Sequence, residues 1–158
     1  MKSYGKFGIM IAVSTFIMYW LMYLNVFQIN HIFYSQTRLY MALIMGSVMA
    51  FVMLLFMWGM YKNKTLNFII LGVSALVFSG SLWLVRSQTT VDDVSWMKAM
   101  IPHHSIAILT SERAEIEDPR VKELSEEIIK AQRREIEEMK QLIKDLEDEE
   151  ENAEENQE

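Results

Sequence analysis

The sequence has no cysteine, which excludes disulfides, zinc fingers and thiol chemistry and leaves the redox compartment unread. It also has no acidic residue before Asp92; all 21 Asp and Glu lie at or beyond that position. Residues 1–91 carry six basic side chains (Lys2, Lys6, Arg38, Lys62, Lys64, Arg86) and a charge of +6. Residues 92–158 carry nine against 21 acids, a charge of −12, and the two parts make the net −6. A single soluble globule is excluded, because one part has almost no charge for a surface and the other has little else. The acidic part also disfavours nucleic acid as a partner.

No charge at all lies between Lys6 and Arg38. Residues 7–29 are mostly apolar and long enough to cross ~30 Å of hydrocarbon at ~1.5 Å per residue. The run is too long for a signal-peptide core and lacks a small-x-small cleavage site, so it is expected to be retained. Residues 39–61 and 66–85 form a second and third span. Tyr40, Trp58, Tyr61 and Trp83 stand near span ends as interface anchors. Lys2 and Lys6 before span one, and Lys62 and Lys64 between spans two and three, outnumber Arg38 and Arg86 on the other side. The positive-inside rule therefore predicts a cytoplasmic N-terminus and an extracytoplasmic C-terminal part. Ala42, Gly46 and Ala50, at four-residue spacing, let helices approach closely in lipid, as do Gly72, Ala75, Ser79 and Gly80. No carboxylate falls within the spans, which argues against a proton-coupled transporter.

Beyond this three-span region (1–87) the pattern predicts a helical hairpin over 88–146 and an acidic, disordered tail over 147–158. Thr90 as N-cap with Asp93 at N3 fits a capping box. A first helix runs to about Glu117, and Asp118-Pro119 breaks it, with Pro119 suited to the next first turn. Val94, Met97, Ile101, His104, Ile108 and Ser111 form one heptad stripe. Ile129, Gln132, Ile136, Met139, Ile143 and Leu146 form the other, widened by Val121, Leu124 and Ile128. Two helices alone bury too little to be stable. The hairpin is expected to dimerise into a four-helix bundle, or else to lean on the membrane part. From Glu147 the residues are nearly all polar and cannot bury apolar area.

Met97, Met100 and His104 fall within roughly 60° on one helix face, while His103 points about 100° from His104. Folding the hairpin about residue 118 sets Met139 level with Met97 and Gln132 level with His104. Thioether plus imidazole is a soft donor set that suits Cu(I) or Ag(I), not Mg or Ca, and zinc would recruit Cys or more His. The bland alternative is that Met fills the core and His104 bonds Gln132. In span two, Met41, Met45, Met49, Met53 and Met57 recur every four residues, so the row drifts ~40° per step. It is either a ladder of soft ligands or ordinary packing.

The run Trp96-Met97-Lys98-Ala99-Met100-Ile101-Pro102-His103-His104, then Asp118-Pro119 and Gln132-x2-Glu135-Ile136-x2-Met139, resembles the domain-of-unknown-function 305 family over about residues 92–146. The resemblance implies a ferritin-like helical bundle linked to copper or silver handling outside the cytoplasm. Carried over by position, the ligands are Met97, Met100, His103, His104 and Met139. One hairpin stands where longer members have two, which favours a homodimer. The Glu-x-x-His pattern of di-iron bundles is absent.

The expected fold is thus all-α, with three transmembrane helices and an extracytoplasmic, ferritin-like hairpin. The expected function is a membrane-anchored copper- or silver-binding protein of the bacterial envelope, multi-pass in the inner membrane with a periplasmic domain. It would buffer the metal or pass it to a metal transporter. The alternative is a non-metal interaction module that dimerises or docks a membrane partner. With no nucleophile-base pair, phosphate loop or paired acids in apolar surroundings, no enzymatic activity is expected.

Overall fold

The computed structural model describes residues 2–155. It is all-α: five helices and one short 3₁₀ turn, with no strand among the described residues. The helices are α1 (Lys2–Leu21), α2 (Gln36–Phe56), α3 (Lys64–Ser87), α4 (Asp93–Arg113) and α5 (Pro119–Glu155). The chain divides into two compact units. One holds α1, α2 and α3; the other joins Tyr23–Ser35 to the segment from Val91 onward.

In the first unit, α1, α2 and α3 are each long and apolar enough to cross a membrane. Helix is the required form there, because backbone groups in hydrocarbon must be paired within their own segment. α2 packs against α1 and against α3. Its buried line is Arg38, Ala42, Gly46, Ser47, Ala50 and Leu54, so the small-residue row predicted from the sequence is the packing face. The contact is closest at Gly46. A Cβ there would run into Thr15 Oγ1, with Thr15 Cγ2 at 3.1 Å and Cβ at 3.2 Å. Near the start of α2, Arg38 turns inward and its guanidinium donates to the Met22 carbonyl, one of the orphan acceptors past the end of α1. At the other end of the unit, Tyr4 Oη donates to Asn67 Oδ1 (2.8 Å) and Asn67 Nδ2 donates to the Tyr61 carbonyl (2.8 Å), so a fully buried Asn is satisfied.

The first apolar run ends earlier than its composition suggests. Residues 7–29 read as one span, but α1 stops at Leu21. Asn25 and Gln28 interrupt the run and Asn30 and His31 follow it, and the segment that carries them belongs to the second unit. The second span likewise closes as helix at Phe56, not at residue 61.

In the second unit α4 and α5 pack antiparallel, as the nested pairs Lys98–Glu147 and Glu112–Arg133 show. The break falls at Asp118-Pro119 as the sequence predicts, though α4 ends at Arg113, short of Glu117. The N-cap of α4 is Asp92, not Thr90; its carboxylate accepts the Ser95 N–H at 2.6 Å. α5 runs on to Glu155, where an unstructured tail is expected from Glu147. Glu is a strong helix former, and Glu147 pairs with Lys98 at 2.6 Å. Residues 156–158 of the expected tail lie outside the described residues.

Gly46→Ala should destabilise the three-helix unit by about 1–3 kcal/mol, because Thr15 is β-branched and its Cβ cannot rotate away. Thermal unfolding of the detergent-solubilised chain would read this. Thr15→Ala should recover part of the loss in the double variant; strictly additive losses would show that the two residues do not meet.

Candidate metal centre and the clasp beside it

The face shared by α4 and α5 is built from side chains three and four apart on each helix. Met97, Ile101 and Ile108 from α4 meet Ile136, Met139 and Ile143 from α5 in one buried cluster, with Met100 packed against it. Met97 and Met139 are 5% and 7% exposed. The register set by Pro119 thus brings Met97 and Met139 into the same cluster, as folding about residue 118 predicts. Three of the five candidate ligands are therefore grouped: Met97, Met100 and Met139.

His104 stands on the flank of that cluster. Its Nδ1 meets the Met100 carbonyl at 3.0 Å and its Nε2 meets Glu135 Oε2 at 2.9 Å. Both neighbours are acceptors, so each bond needs an N–H on that nitrogen. A metal at Nε2 would therefore displace Glu135. Gln132, expected opposite His104, instead extends its amide toward the same Glu135 oxygen at 3.5 Å, so the two residues share a carboxylate and are not paired. His103 is exposed and outside the buried cluster, as the ~100° step between adjacent helix positions requires. Among the described residues no three His, Cys, Asp or Glu side chains converge as a metal site. The donor atoms that the fold does gather are the thioethers of Met97, Met100 and Met139, a softer type than the Cys and His that zinc recruits.

A second constellation was not legible in the sequence. His31, in the 3₁₀ turn Ile29–His31, is buried, and its Nδ1 lies 2.9 Å from Ser105 Oγ on α4. The same hydroxyl accepts the Phe27 backbone N–H at 2.7 Å. Ser105 has no exposed surface, so its oxygen depends on these two partners. The Arg133 guanidinium lies 5.2 Å over the Phe27 ring and also bonds Glu112. Phe27, Gln28, His31, Arg133 and Glu137 line a cavity of about 180 Å³ beside the core. A lone His and a lone Ser 74 residues apart carry no sequence signal; the polar interruption of the first apolar run was the available hint.

Burial lowers the His31 pKa from its usual 6.5; the Lys140 charge lowers it further, Glu137 opposes, and Arg133 adds the smallest lowering. Asp92 is held below its usual value by the Ser95 N–H, and Asp118 by the Arg120 side chain.

Residues 93–158 match the family described as "Domain of unknown function (DUF305)", which supports the resemblance over α4 and α5. The chain is also 28% identical over 142 residues to an uncharacterised protein of Acanthamoeba polyphaga mimivirus, covering 85% of this chain and 90% of that protein. Coverage of that extent includes residues of both units. No solved structure matches the chain.

The His31 clasp should be pH-dependent. Its folded pKa lies below the unfolded value, so its stabilising share is complete above about pH 6.5 and is lost as pH falls through the folded value. Asp92 loses its share only near and below its ordinary value of 3.8, in more acid solution. Thermal melts of the whole chain between about pH 8 and about pH 5 should therefore show falling stability, and His31→Gln should flatten that slope. An unchanged slope in the variant would assign the dependence to other groups.

Proposed function

We propose that the chain is a membrane-anchored binding protein for a soft monovalent metal ion, copper(I) or silver, held on the α4–α5 hairpin. The observation that carries this reading is the gathering of Met97, Met100 and Met139 in one cluster, with the His104 ring one turn along. Thioether sulfur is a poor ligand for hard cations and a good one for Cu(I) and Ag(I). Met97, Met100 and Met139 would hold the ion. His104 would join on releasing Glu135, and His103, being exposed, would serve at most in exchange with solvent. A bound ion would stay exchangeable, since no Cys strengthens the set, which suits buffering or hand-over to a metal transporter.

The hairpin would stand outside the cytoplasm of a bacterial cell membrane. The Lys6, Lys62 and Lys64 bias supports this orientation. The Ser105 clasp adds a separate constraint, that Tyr23–Ser35 and the hairpin lie on the same side, which two crossings by α2 and α3 would provide.

A second reading rests on a different observation. Val121 and Leu124, near the start of α5, are 49% and 54% exposed, more apolar surface than a solvated face needs. Under this reading the hairpin dimerises or docks a membrane partner and its Met residues are plain core.

The two readings separate in a Cu(I) competition titration with a chromophoric chelator on the whole chain. The whole chain is needed because the excised hairpin lacks Phe27 and His31 and would strand Ser105. Met97→Leu with Met139→Leu keeps core volume and should weaken binding at least about tenfold with the helices intact, whereas His103→Ala should leave it unchanged. Unaltered affinity in the double Leu variant, or no rise in melting temperature with Ag(I), would favour the interaction module.

A further inference from the structure

We infer that the cleft between α1 and α3 binds one acyl chain of an anionic phospholipid, whose headgroup is met by Lys6, Lys62 and Lys64. α1 and α3 flank α2, and a cavity of about 530 Å³ lies between them over α2. Its walls include Gly8, Ala12, Gly46 and Ala50, small residues that leave room against the helix backbones. Two of the lining hydroxyls are used internally: Thr15 Oγ1 donates to the Ile11 carbonyl and Ser47 Oγ to the Ile44 carbonyl, each at 2.8 Å. The cleft therefore presents hydrocarbon almost throughout.

Its length and charge select the occupant. Along α1 the lining runs from Tyr4 to Thr15, roughly 16 Å at ~1.5 Å per residue, about half of a ~30 Å hydrocarbon core. That is the depth of one leaflet. At the Tyr4 end, Tyr4 Oη accepts the Asn63 N–H at 3.1 Å and its ring lies 4.9 Å from that of Tyr61. Lys62 and Lys64 flank Asn63, Lys6 is two residues from Tyr4, and all three are exposed. No acid exists in residues 1–91 to neutralise them. Cations at one end of a leaflet-deep apolar cleft match a phosphate headgroup above an acyl chain. A second copy inserted in the same orientation would bring its own lysines to the same level, and the like charges would oppose it.

Native mass spectrometry of the detergent-solubilised whole chain tests this, with phosphatidylglycerol and phosphatidylcholine of equal chain length as probes. One phosphatidylglycerol should be retained per chain, preferred at least about fivefold, the worth of roughly one surface lysine. Apart from its chain neighbours and α1's own backbone, nothing lies within 4 Å of a Cβ placed on Gly8, which lines the cleft, so Gly8→Phe should fill the cleft with helicity unchanged and release the lipid. Replacing Lys6, Lys62 and Lys64 together by Gln should keep lipid binding and abolish the preference. Equal retention of both lipids by the native chain, native-like retention by Gly8→Phe, or a lipid-free dimer would each overturn the assignment.

Discussion

The second unit turns on a single hydroxyl. Ser105 is fully buried at the middle of α4, and both partners of its oxygen come from the segment between α1 and α2. Losing one of these bonds while the site stays closed would leave a buried polar group short of a partner, a cost of about 1–3 kcal/mol. The segment also brings Phe27 and Phe33 against the α4–α5 cluster. A two-helix hairpin is otherwise short of core. The chain supplies the missing cover from a stretch that looks, by composition, like the end of a membrane span. One consequence is that α1 ends at Leu21: continuing the helix would carry Phe27 and His31 away from Ser105.

The thioether cluster has to satisfy two demands at once. Met97 and Met139 are among the buried side chains that hold α4 to α5, and a long flexible thioether fills such gaps well. The same atoms are the soft donors on which metal binding would depend. Burial excludes water and competing hard ligands, but an entering ion must shift packed side chains. The neighbouring ring is constrained as well, since His104 is held between the Met100 carbonyl and Glu135. Metal binding on this hairpin would thus exchange a hydrogen-bonded flank for a coordinated one, and the partly buried Met100 is the thioether nearest to an open approach.

Features governed by local periodicity were legible in the sequence. The Ala42, Gly46 and Ala50 row is a helix contact because four-residue spacing fixes one face, whatever lies opposite. Asp118-Pro119 marks the break because proline suits a first turn, and chain reversal there brings Met97 and Met139 together. Features set by tertiary contacts were not legible. Glu135 reaches His104 because α5 is rotated to face the ring toward that carboxylate and not toward Gln132, a rotation that heptad counting does not resolve. The continuation of α5 past Leu146 is not legible for a related reason. Low apolar content argues against burial, not against helix, and Lys98 reaches Glu147 across the hairpin.

The methionine row on α2 follows from the same periodicity. A step of four residues turns the helix by about 400°, so each methionine lies ~40° round from the last. The surroundings change accordingly. Met41 and Met45 are exposed on the outer surface of the three-helix unit, while Met53 and Met57 pack partly buried against Phe7, Leu54 and Tyr61. A ladder for an ion would need its rungs in one continuous environment, and these rungs pass from the unit's outer face into its packed interior. The favoured role of the row is therefore packing, with its first members meeting the hydrocarbon and its last members closing the end of the unit where Tyr4 and Asn67 join α1 to α3.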